Sequence, residues 1–532
     1  MIPLIALLSC AEPITATDVP TTPTQAIQPL PGPQLLRRLS LDLRGVLPSR
    51  SEQDAIAENP EAWETLREQY LADPLFEERM VQLFADRWRT RVDVFDIVYQ
   101  DFNMDPSEEF ELEKSIGEEP LRLLARIAAS DRPWTDIVTT EMTMANEVLG
   151  EIWPVQYPED AKGWVESTYT DARPPAGVLT TNGLWWRYTT TNGNMNRGRA
   201  AAIARLLLCE DYMARPISLA DQDEALDLSA SAIQSNPYCM SCHSSLDPIA
   251  ASLFGFWWMA LYSPPEEIRY HPEREPLGPV YLNTEPAWYG APMSGLADLG
   301  WQVATDSRFY SCAVESMAES LWQRPIELDD MALLDDIRRD FIEDGTRMKD
   351  LIRALTDTPA YQAGRLNSDA EENTRRLMST SQLQTALDDL TGFQWTSQGY
   401  DQLANDTLGY RVLGGGTDGV TVVNKQRTPG LTWLLVFKRA AQGAASRAVT
   451  EDLEGQKRQL FRHVDLQTRP LDEAFTKELQ SLHWQLLGMP LQPSTQVELE
   501  QLWSDVEAQE GAASAWQAVL TVLFRDPYFL SY

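Results

Sequence analysis

Apolar residues recur at helical spacing along most of this chain, and strand-like alternation is scarce. A period of three to four residues places the apolar side chains on one face of an α-helix. The pattern therefore predicts a mainly α protein with little strand. Ten segments show it: 35–46, 61–72, 76–92, 119–129, 198–208, 331–342, 380–392, 455–464, 473–488 and 514–526.

Two short segments depart from the helical pattern. GVTVV at 419–423 alternates and is rich in β-branched residues, which predicts a strand. TWLLVF at 432–437 fits either a strand or a buried helix.

Asp-Pro phrases close several helical stretches. LADPLF at 71–76 and FRDPYF at 524–529 each follow an earlier Arg-Arg-Leu phrase, and the related LTDTPAY stands at 355–361. Since Pro disfavours helix at the residue before it, such a phrase ends one helix and starts another. We interpret the recurrence of an Arg-Arg-Leu phrase followed by an Asp-Pro phrase as an imperfect repeat of two helical modules that flank a central one. The predicted N-terminal, central and C-terminal modules are residues 34–152, 153–365 and 374–532.

The first residues resemble a bacterial lipoprotein signal. Residues 1–10 are apolar and end in Leu8-Ser9-Cys10, which predicts that Cys10 is lipidated. No Lys or Arg precedes the apolar run, unlike most secretory signals, so an incorrect start or a ragged terminus is the alternative. Residues 11–33 are rich in Pro and Thr, as in a semi-extended tether. We expect an extracytoplasmic protein of the bacterial cell envelope, in the periplasm or at the outer membrane, with a lipid anchor as its only membrane contact.

Charge and length narrow the function classes. The chain has 532 residues, enough for several domains, and a formal net charge of -35. Such a charge excludes nucleic acid as a partner, because nothing neutralises the phosphates. The negative charge could attract a basic partner, or it could serve only to keep the protein surface solvated.

The most informative motif is Cys239-Met240-Ser241-Cys242-His243 in a chain that has only five cysteines. A C-x-x-C-H run is the attachment sequence of a c-type haem, in which both thiols bind the porphyrin and the His is the proximal iron ligand. The motif predicts one haem c on Cys239, Cys242 and His243. The alternative is a pair of structural cysteines beside an ordinary His.

Asp247-Pro248 follows the motif and predicts a helix start, with Asp247 as N-cap and Pro248 at the first helical position. This helix would carry an apolar wall that includes Phe254, so Pro248 and Phe254 are candidate haem contacts. Ordinary core packing explains the same wall equally well.

A second axial ligand would come from Met or His. Met293 stands in a Pro/Gly-rich loop and is the first candidate for the distal position. His271 is the alternative, and a five-coordinate iron is the third possibility. His463 and His483 stand in predicted helices of the C-terminal module.

Cys209 and Cys312 are the two cysteines left over. In an oxidising compartment they suggest a disulfide that closes a loop around the haem motif. Two buried free thiols are the alternative.

The run CxxCHxxxDPI resembles the haem-motif region of the planctomycete-type cytochrome c proteins, which are large, extracytoplasmic and mostly of unknown function. Further similar phrases span about two thirds of the chain. Where the family has Gly, Leu-Glu and Phe-Asp after the motif, this chain has Ala250, Phe254 and Trp257. The similar phrases are the segment from Arg37 to Ser49, residues 131–150, Gly177–Thr180, Arg197-Gly198, Cys312 with Leu321 and Arg324, and Asp357–Tyr361.

Motif and resemblance together predict a lipid-anchored, c-type cytochrome-like protein that transfers electrons to or from an unknown redox partner. The alternative is a haem-free surface or scaffold lipoprotein, in which Trp-rich patches such as Trp185-Trp186 and Trp257-Trp258 bind a partner or a glycan. Whether the protein is an enzyme stays open, although an electron carrier or binding protein is favoured over a hydrolase. The sequence has no nucleophile elbow and no H-E-x-x-H motif.

Overall fold

Helices form most of the chain, as the periodicity predicts. The computed structural model describes residues 28–95, 97, 99–215, 236–256, 264–365, 375–455 and 457–532. The structure is 60% helical with 5% strand, which confirms a mainly α fold. Within the described ranges no helix combines the length and the apolar character needed to cross a bilayer.

Among the residues that the structure describes, nine helices precede the haem-motif segment. Asn and Asp side chains and Pro at the first helical position start several of them, for example at Asp73-Pro74. They are α1 Gly32–Leu43, α2 Arg50–Glu58, α3 Ala62–Ala72, α4 Pro74–Trp88, α5 Glu109–Ala129, α6 Asp136–Thr139, α7 Glu147–Ile152, α8 Asn182–Arg187 and α9 Arg197–Leu207.

In the described part of the predicted central module, eight helices follow. They are α10 Pro237–Ala251, α11 Pro264–Glu267, α12 Leu277–Leu282, α13 Leu296–Thr305, α14 Ser307–Trp322, α15 Met331–Glu343, α16 Met348–Thr356 and α17 Pro359–Gln362. Six more form the C-terminal part: α18 Thr380–Thr391, α19 Leu431–Ala448, α20 Glu473–Leu487, α21 Pro493–Glu510, α22 Ala512–Phe524 and α23 Pro527–Leu530.

Strands are short and pair only in twos within the described residues. All four pairs are antiparallel: β1 Gln28–Pro29 with β6 Ala363–Arg365, β2 Met142–Ala145 with β3 Val165–Thr168, β4 Ala287–Trp288 with β5 Ala291–Pro292, and β7 Thr396–Ser397 with β8 Tyr400–Asp401. Single 3₁₀ turns occur at Tyr99–Phe102, Pro106–Glu108, Gly177–Thr180, Tyr212–Ala214, Phe254–Phe256, Pro272–Arg274 and Leu328–Asp330, and a π-helical turn at Val449–Glu454.

Two large hydrophobic cores organise these helices. The first runs from Leu36 to Tyr361 and joins helices of the predicted N-terminal and central modules. The second is built from residues between Met378 and Tyr532, with Leu41 of α1 as its contribution from the first half of the chain. A smaller cluster around Ile116 and Trp186 fills the space beside α5, α7 and α8.

Helix α1 holds the two cores together through adjacent arginines that are both buried. The Arg37 guanidinium donates to the carbonyls of Leu486 and Phe529, each at 2.8 Å, in the second core. The Arg38 guanidinium donates to the carbonyls of Tyr361 and Ala363, at 2.6 and 2.8 Å, at the end of the first. Because all these groups are shielded from water, each donor needs its acceptor to be present.

Three sequence predictions in the C-terminal part have clear outcomes. The expected strand at 419–423 is wrong, because Asp418 accepts the amides of Val420, Thr421 and Val422 and so turns this backbone on itself. Residues 432–437 are helical, within α19.

The expected helix at 455–464 is also wrong, so His463 does not lie on a helix, although His483 does, in α20. The amides of this segment point at two buried carboxylates instead. Asp452 accepts from Gln459, Leu460 and Phe461, and Glu478 accepts from Arg462 and His463. These bonds replace the helical ones that the apolar pattern favours.

Candidate functional site

Helix α10 carries the C-x-x-C-H motif in its first two turns. It begins where the Asn236 side chain accepts a hydrogen bond from the Tyr238 amide, with Pro237 at the first helical position. The expected helix start, with Asp247 as N-cap and Pro248 as the first helical residue, is therefore wrong, since the helix begins eleven residues earlier. Pro248 lies inside α10, near its end, where it removes only the hydrogen bond to the Ser244 carbonyl.

The helix brings the three motif side chains to one side. Cys239 is followed by Cys242 and His243 at positions i+3 and i+4, and residues at these spacings are neighbours on a helix surface. All three side chains are partly exposed, and both thiols are free. A group that reaches this face from solvent therefore meets two thiols and an imidazole together.

The imidazole of His243 is oriented by a carboxylate one turn further along α10. Its Nδ1 lies 2.8 Å from Oδ1 of Asp247, which leaves Nε2 for another partner. Arg197, at the start of α9, holds the same carboxylate with two bonds, Nε to Oδ1 at 2.7 Å and Nη2 to Oδ2 at 3.0 Å. Asp247 is thus fixed in both position and orientation by a bidentate guanidinium.

Asp247 is ionised in this environment. Burial of the carboxyl raises its pKa, but hydrogen bonds from His243 and Arg197 and the positive charge of Arg197 outweigh burial and hold the pKa below its usual value. Only 9% of the Asp247 side chain is exposed, against 26% for His243. A buried anion therefore lies directly behind a partly exposed imidazole.

A polar chain fixes the other side of α10. The Tyr212 hydroxyl lies 2.7 Å from the Ser245 hydroxyl and 3.3 Å from that of Tyr289, which in turn donates to Glu210 at 3.0 Å. Helices α9 and α12 and strand β4 also pack against α10. The motif is thus built on a helix held from several directions, and it does not lie on a loose loop.

Cys209 and Cys312 form a disulfide whose Cα atoms are 5.2 Å apart, within the usual range. The bridge joins the segment after α9 to α14 and closes a loop that contains α10, with a sequence separation of 103. A guanidinium nitrogen of Arg87 lies 2.7 and 3.1 Å from the two sulfurs. By chain entropy, a crosslink of this span stabilises the fold by about 4–5 kcal/mol.

The two candidate distal ligands lie in different places. Met293 follows strand β5, in the hairpin whose first strand packs on α10, and its side chain is buried in the first core. His271 lies beyond the far end of α10, where its amide bonds to the carbonyl of Gly255. Both of its ring nitrogens are engaged locally, Nδ1 with Glu273 at 2.9 Å and Nε2 with the Glu266 carbonyl at 2.8 Å.

His271 is therefore separated from His243. Ala251 lies eight residues after His243, which is about 12 Å along the helix, and His271 packs beyond that point. Met293 thus follows a hairpin that packs on α10, whereas His271 lies past the end of that helix.

Phe254 and the tryptophans occupy core positions. Phe254 is fully buried, and its ring stacks on Tyr281 with centroids 6.2 Å apart, past the end of α10. Trp185 and Trp186 are 1% and 5% exposed, so they do not form a surface patch for a partner or a glycan. Trp257, Trp258 and Cys10 lie outside the described residues.

The roles of Asp247 and Arg197 are what sequence reasoning missed. Asp247 has the residue type of a helix cap, and only its i+4 spacing from His243 indicates a contact on the helix face. Nothing in the sequence indicates that Arg197, fifty positions upstream, closes on the same carboxylate. In the described part of the chain, no three or more His, Cys, Asp or Glu side chains are grouped to hold a metal ion.

Comparison with known proteins gives one similarity. Residues 22–107 match the model of a family described as PSCyt2, protein of unknown function (DUF1549), which is a planctomycete cytochrome-like family. The matched segment includes α1 to α4 and ends before α5, so the C-x-x-C-H motif lies outside it. No curated protein and no solved structure matches the chain.

Proposed function

We propose that Cys239, Cys242 and His243 attach one c-type haem and that the protein is an extracytoplasmic electron-transfer protein. The observation that carries the proposal is the arrangement on α10. Two free thiols and an imidazole share one partly exposed helix face, and Asp247 engages Nδ1 of the imidazole so that Nε2 is the nitrogen left to bind iron. The similarity of residues 22–107 to a cytochrome-like family supports it independently.

The side chains of Cys239, Cys242 and His243 also have the chemistry that attachment of a c-type haem requires. Each thiol can add across one porphyrin vinyl group, its sulfur bonding to one carbon and its hydrogen going to the other. A metal-bound His usually donates its second ring N–H to a carboxylate or a carbonyl, as His243 can to Asp247. Once bound, the haem would supply one-electron oxidation and reduction.

Haem staining of the denatured protein tests the attachment. We expect the full chain, produced with a cytochrome c maturation system, to keep haem after denaturing electrophoresis. The Cys239→Ser and Cys242→Ser double variant should lose the stain completely. Ser244→Ala, at an exposed position beside His243, is the matched control and should keep it. A colourless and unstained wild-type protein would overturn the proposal.

Asp247 and Arg197 act in this proposal as positioning residues. The buried carboxylate accepts the Nδ1 proton and makes the imidazole a stronger donor, which stabilises oxidised iron. Asp247→Asn should therefore keep the covalent stain but raise the midpoint reduction potential. Arg197→Lys preserves the positive charge but loses the bidentate hydrogen bonds to the Asp247 carboxylate. The midpoint potential should therefore shift less than in Asp247→Asn. An unchanged potential in Asp247→Asn would show that the carboxylate does not act through His243.

We also propose that Cys10 is lipidated and anchors the protein outside the cytoplasm. The Cys209–Cys312 disulfide supports an oxidising compartment. Metabolic labelling with a radioactive fatty acid should mark the wild-type chain and not Cys10→Ser. A Ser9→Ala variant should still be labelled, because Ala is also accepted before a lipidated cysteine. Equal labelling of wild type and Cys10→Ser would contradict the anchor.

The net charge of -35 favours a basic redox partner. Electron exchange of the haem-loaded protein with a basic soluble cytochrome should then slow as salt is added, because salt screens the attraction. An acidic cytochrome of similar potential should show the opposite trend. Equal salt dependence with both would exclude electrostatic steering.

A further inference from the structure

A cavity of about 500 Å³, lined by both polar and apolar groups, lies between the first and second halves of the chain, on elements that do not include α10. Its walls come from α4 and α5 on one side and from α18, α19 and the loop at 414–417 on the other. Pockets for small organic ligands typically have volumes of about 300–1,000 Å³. The cavity is therefore large enough for a ligand of a few linked rings.

The charges that line this cavity are largely balanced against one another. Arg122 pairs with Glu118 at 2.8 Å and with Glu78 at 2.5 Å, and Arg91 reaches the second oxygen of Glu118 at 2.7 Å. Across the cavity, Arg411 pairs with Asp93 at 2.8 Å, and Lys425 pairs with Asp86 at 3.2 Å. Arg79, which also lines the cavity, donates to the Asp42 carbonyl and to Oε1 of Gln82. An anionic ligand would therefore have to compete with a carboxylate or with these neutral acceptors for each guanidinium.

Two lining carboxyl groups have no ion-pair partner among the described residues. Glu113 accepts only the Phe95 amide, at 3.2 Å, and Asp401 accepts the amides of Leu403 and Ala404 and the side-chain amide of Gln384. Burial, together with the nearby charges of Glu109 and Asp93, raises the pKa of Glu113 to about 7, although the hydrogen bond from the Phe95 amide lowers it. Burial also raises the pKa of Asp401. This part of the cavity thus disfavours further negative charge, and near pH 7 the Glu113 carboxyl can both accept and donate hydrogen bonds.

The remaining wall combines neutral polar side chains, aromatic rings and a close glycine loop. Gln82, Gln384 and Thr385 supply amide and hydroxyl groups, while Phe110 and Trp433 contribute rings. A Cβ on Gly414 would lie 2.5 Å from Cγ2 of Thr380, so the loop reaches this position only as glycine. Paired donors and acceptors beside aromatic faces match hydroxyl groups on a ring, since each hydroxyl both donates and accepts.

We infer that this cavity binds a neutral, polyhydroxylated ligand, namely a short uncharged oligosaccharide. The site is separate from α10 and its occupation does not depend on haem. Glu113 and Gln384 provide hydrogen bonds to ring hydroxyls, and Trp433 and Phe110 provide apolar ring contacts.

Saturation-transfer NMR and titration calorimetry on the full chain test this inference. The probes are neutral tetrasaccharides of different linkage, namely maltotetraose, cellotetraose, xylotetraose, laminaritetraose and mannotetraose. Charged probes of similar size, a heparin tetrasaccharide and chitosan tetramer, are run in parallel. We expect at least one neutral probe to bind and the charged ones to bind at least tenfold more weakly.

Two variants connect binding to the cavity. Thr385→Trp fills it without removing a charge and should abolish binding. Thr521→Trp is the matched control, because Thr521 is also a half-buried helical Thr bonded to the carbonyl four residues earlier, but it lies outside the cavity. Gln384→Ala should weaken binding about tenfold, the cost of one buried hydrogen bond.

Three outcomes would overturn the inference. They are failure of every neutral probe, tighter binding of a charged probe, and binding that Thr385→Trp leaves unchanged. None of these depends on whether haem is attached at α10.

Discussion

Replacing Arg376 by Met is expected to destabilise the protein by about 3–5 kcal/mol, the cost of leaving a buried charge without its partner. The Arg376 guanidinium forms an ion pair with Asp42 of α1, whose residue is fully buried, while 3% of the Arg376 side chain is exposed. The Tyr532 hydroxyl donates to the other Asp42 oxygen at 3.0 Å. In the variant the Asp42 carboxylate would keep the Tyr532 hydroxyl but lose the guanidinium paired with it.

A double-mutant cycle separates the pair from the loss of packing. Asp42→Asn removes the charge and keeps an oxygen for Tyr532, so the double variant should be more stable than Arg376→Met alone. Arg375→Met is the control for losing an arginine stem. That neighbour lies over the Tyr528 ring, 3.6 Å from its centroid, and its loss should cost about 1 kcal/mol.

Urea unfolding, followed by tryptophan fluorescence and far-UV circular dichroism, gives the four free energies. Two results would refute the reasoning. One is a cost below about 1 kcal/mol for Arg376→Met, which would mean that Asp42 finds water or another partner. The other is strict additivity of the two single changes, which would mean that the ion pair does not couple α1 to the second core.

Three further predictions concern single positions. The pKa of Glu113 is raised to about 7 in the folded state, so its contribution to stability is present below the unfolded pKa near 4.5 and is lost as the pH rises through 7. Glu113→Gln should remove this loss and make the protein about 1 kcal/mol more stable at pH 8 after solvent screening. Urea titrations at pH 5 and pH 8 measure the difference. Gly278→Ala should destabilise the protein by about 2–3 kcal/mol in thermal unfolding, since the new Cβ would lie 2.3 Å from the Ala251 carbonyl oxygen of α10. Gly193→Ala is the control and should be neutral, because a Cβ there meets nothing within 4 Å. In the haem-loaded protein, Met293→Leu should remove the spectroscopic signature of a methionine–iron bond and keep the covalent stain; an unchanged spectrum would exclude Met293 as the distal ligand.

Helical periodicity was sufficient for most of the fold, because the apolar faces that it reports are those that fill the two cores. It failed where buried carboxylates capture backbone amides, as Asp452 and Glu478 do at 459–463. The pattern of apolar positions in this segment is helical, but its backbone amides donate to the carboxylates of Asp452 and Glu478, which lie outside the segment. Apolar periodicity alone does not report this competition between helical hydrogen bonds and bonds from the backbone amides to carboxylates.

The start of α10 illustrates a second limit. Asp-Pro does start helices at Asp73-Pro74 and Asp526-Pro527, where each Asp side chain accepts an amide in the first turn. At Asp247 the carboxylate is instead taken by His243 and Arg197. The motif residues themselves could be identified from sequence, whereas the contact that orients the imidazole required the fold.

The adjacent arginines of α1 have a consequence for how this protein is made. The acceptors of Arg37 lie 449 and 492 positions further along the chain, and those of Arg38 lie 323 and 325 positions further. At a ribosomal rate of about 5–20 residues per second, Arg37 waits on the order of half a minute or more for its last acceptor. Until Phe529 has been added, Arg37 lacks one of its two buried acceptors, so the contacts between α1 and the second core cannot all form. A premature stop between Leu486 and Phe529 would leave Arg37 with only the first of its two acceptors.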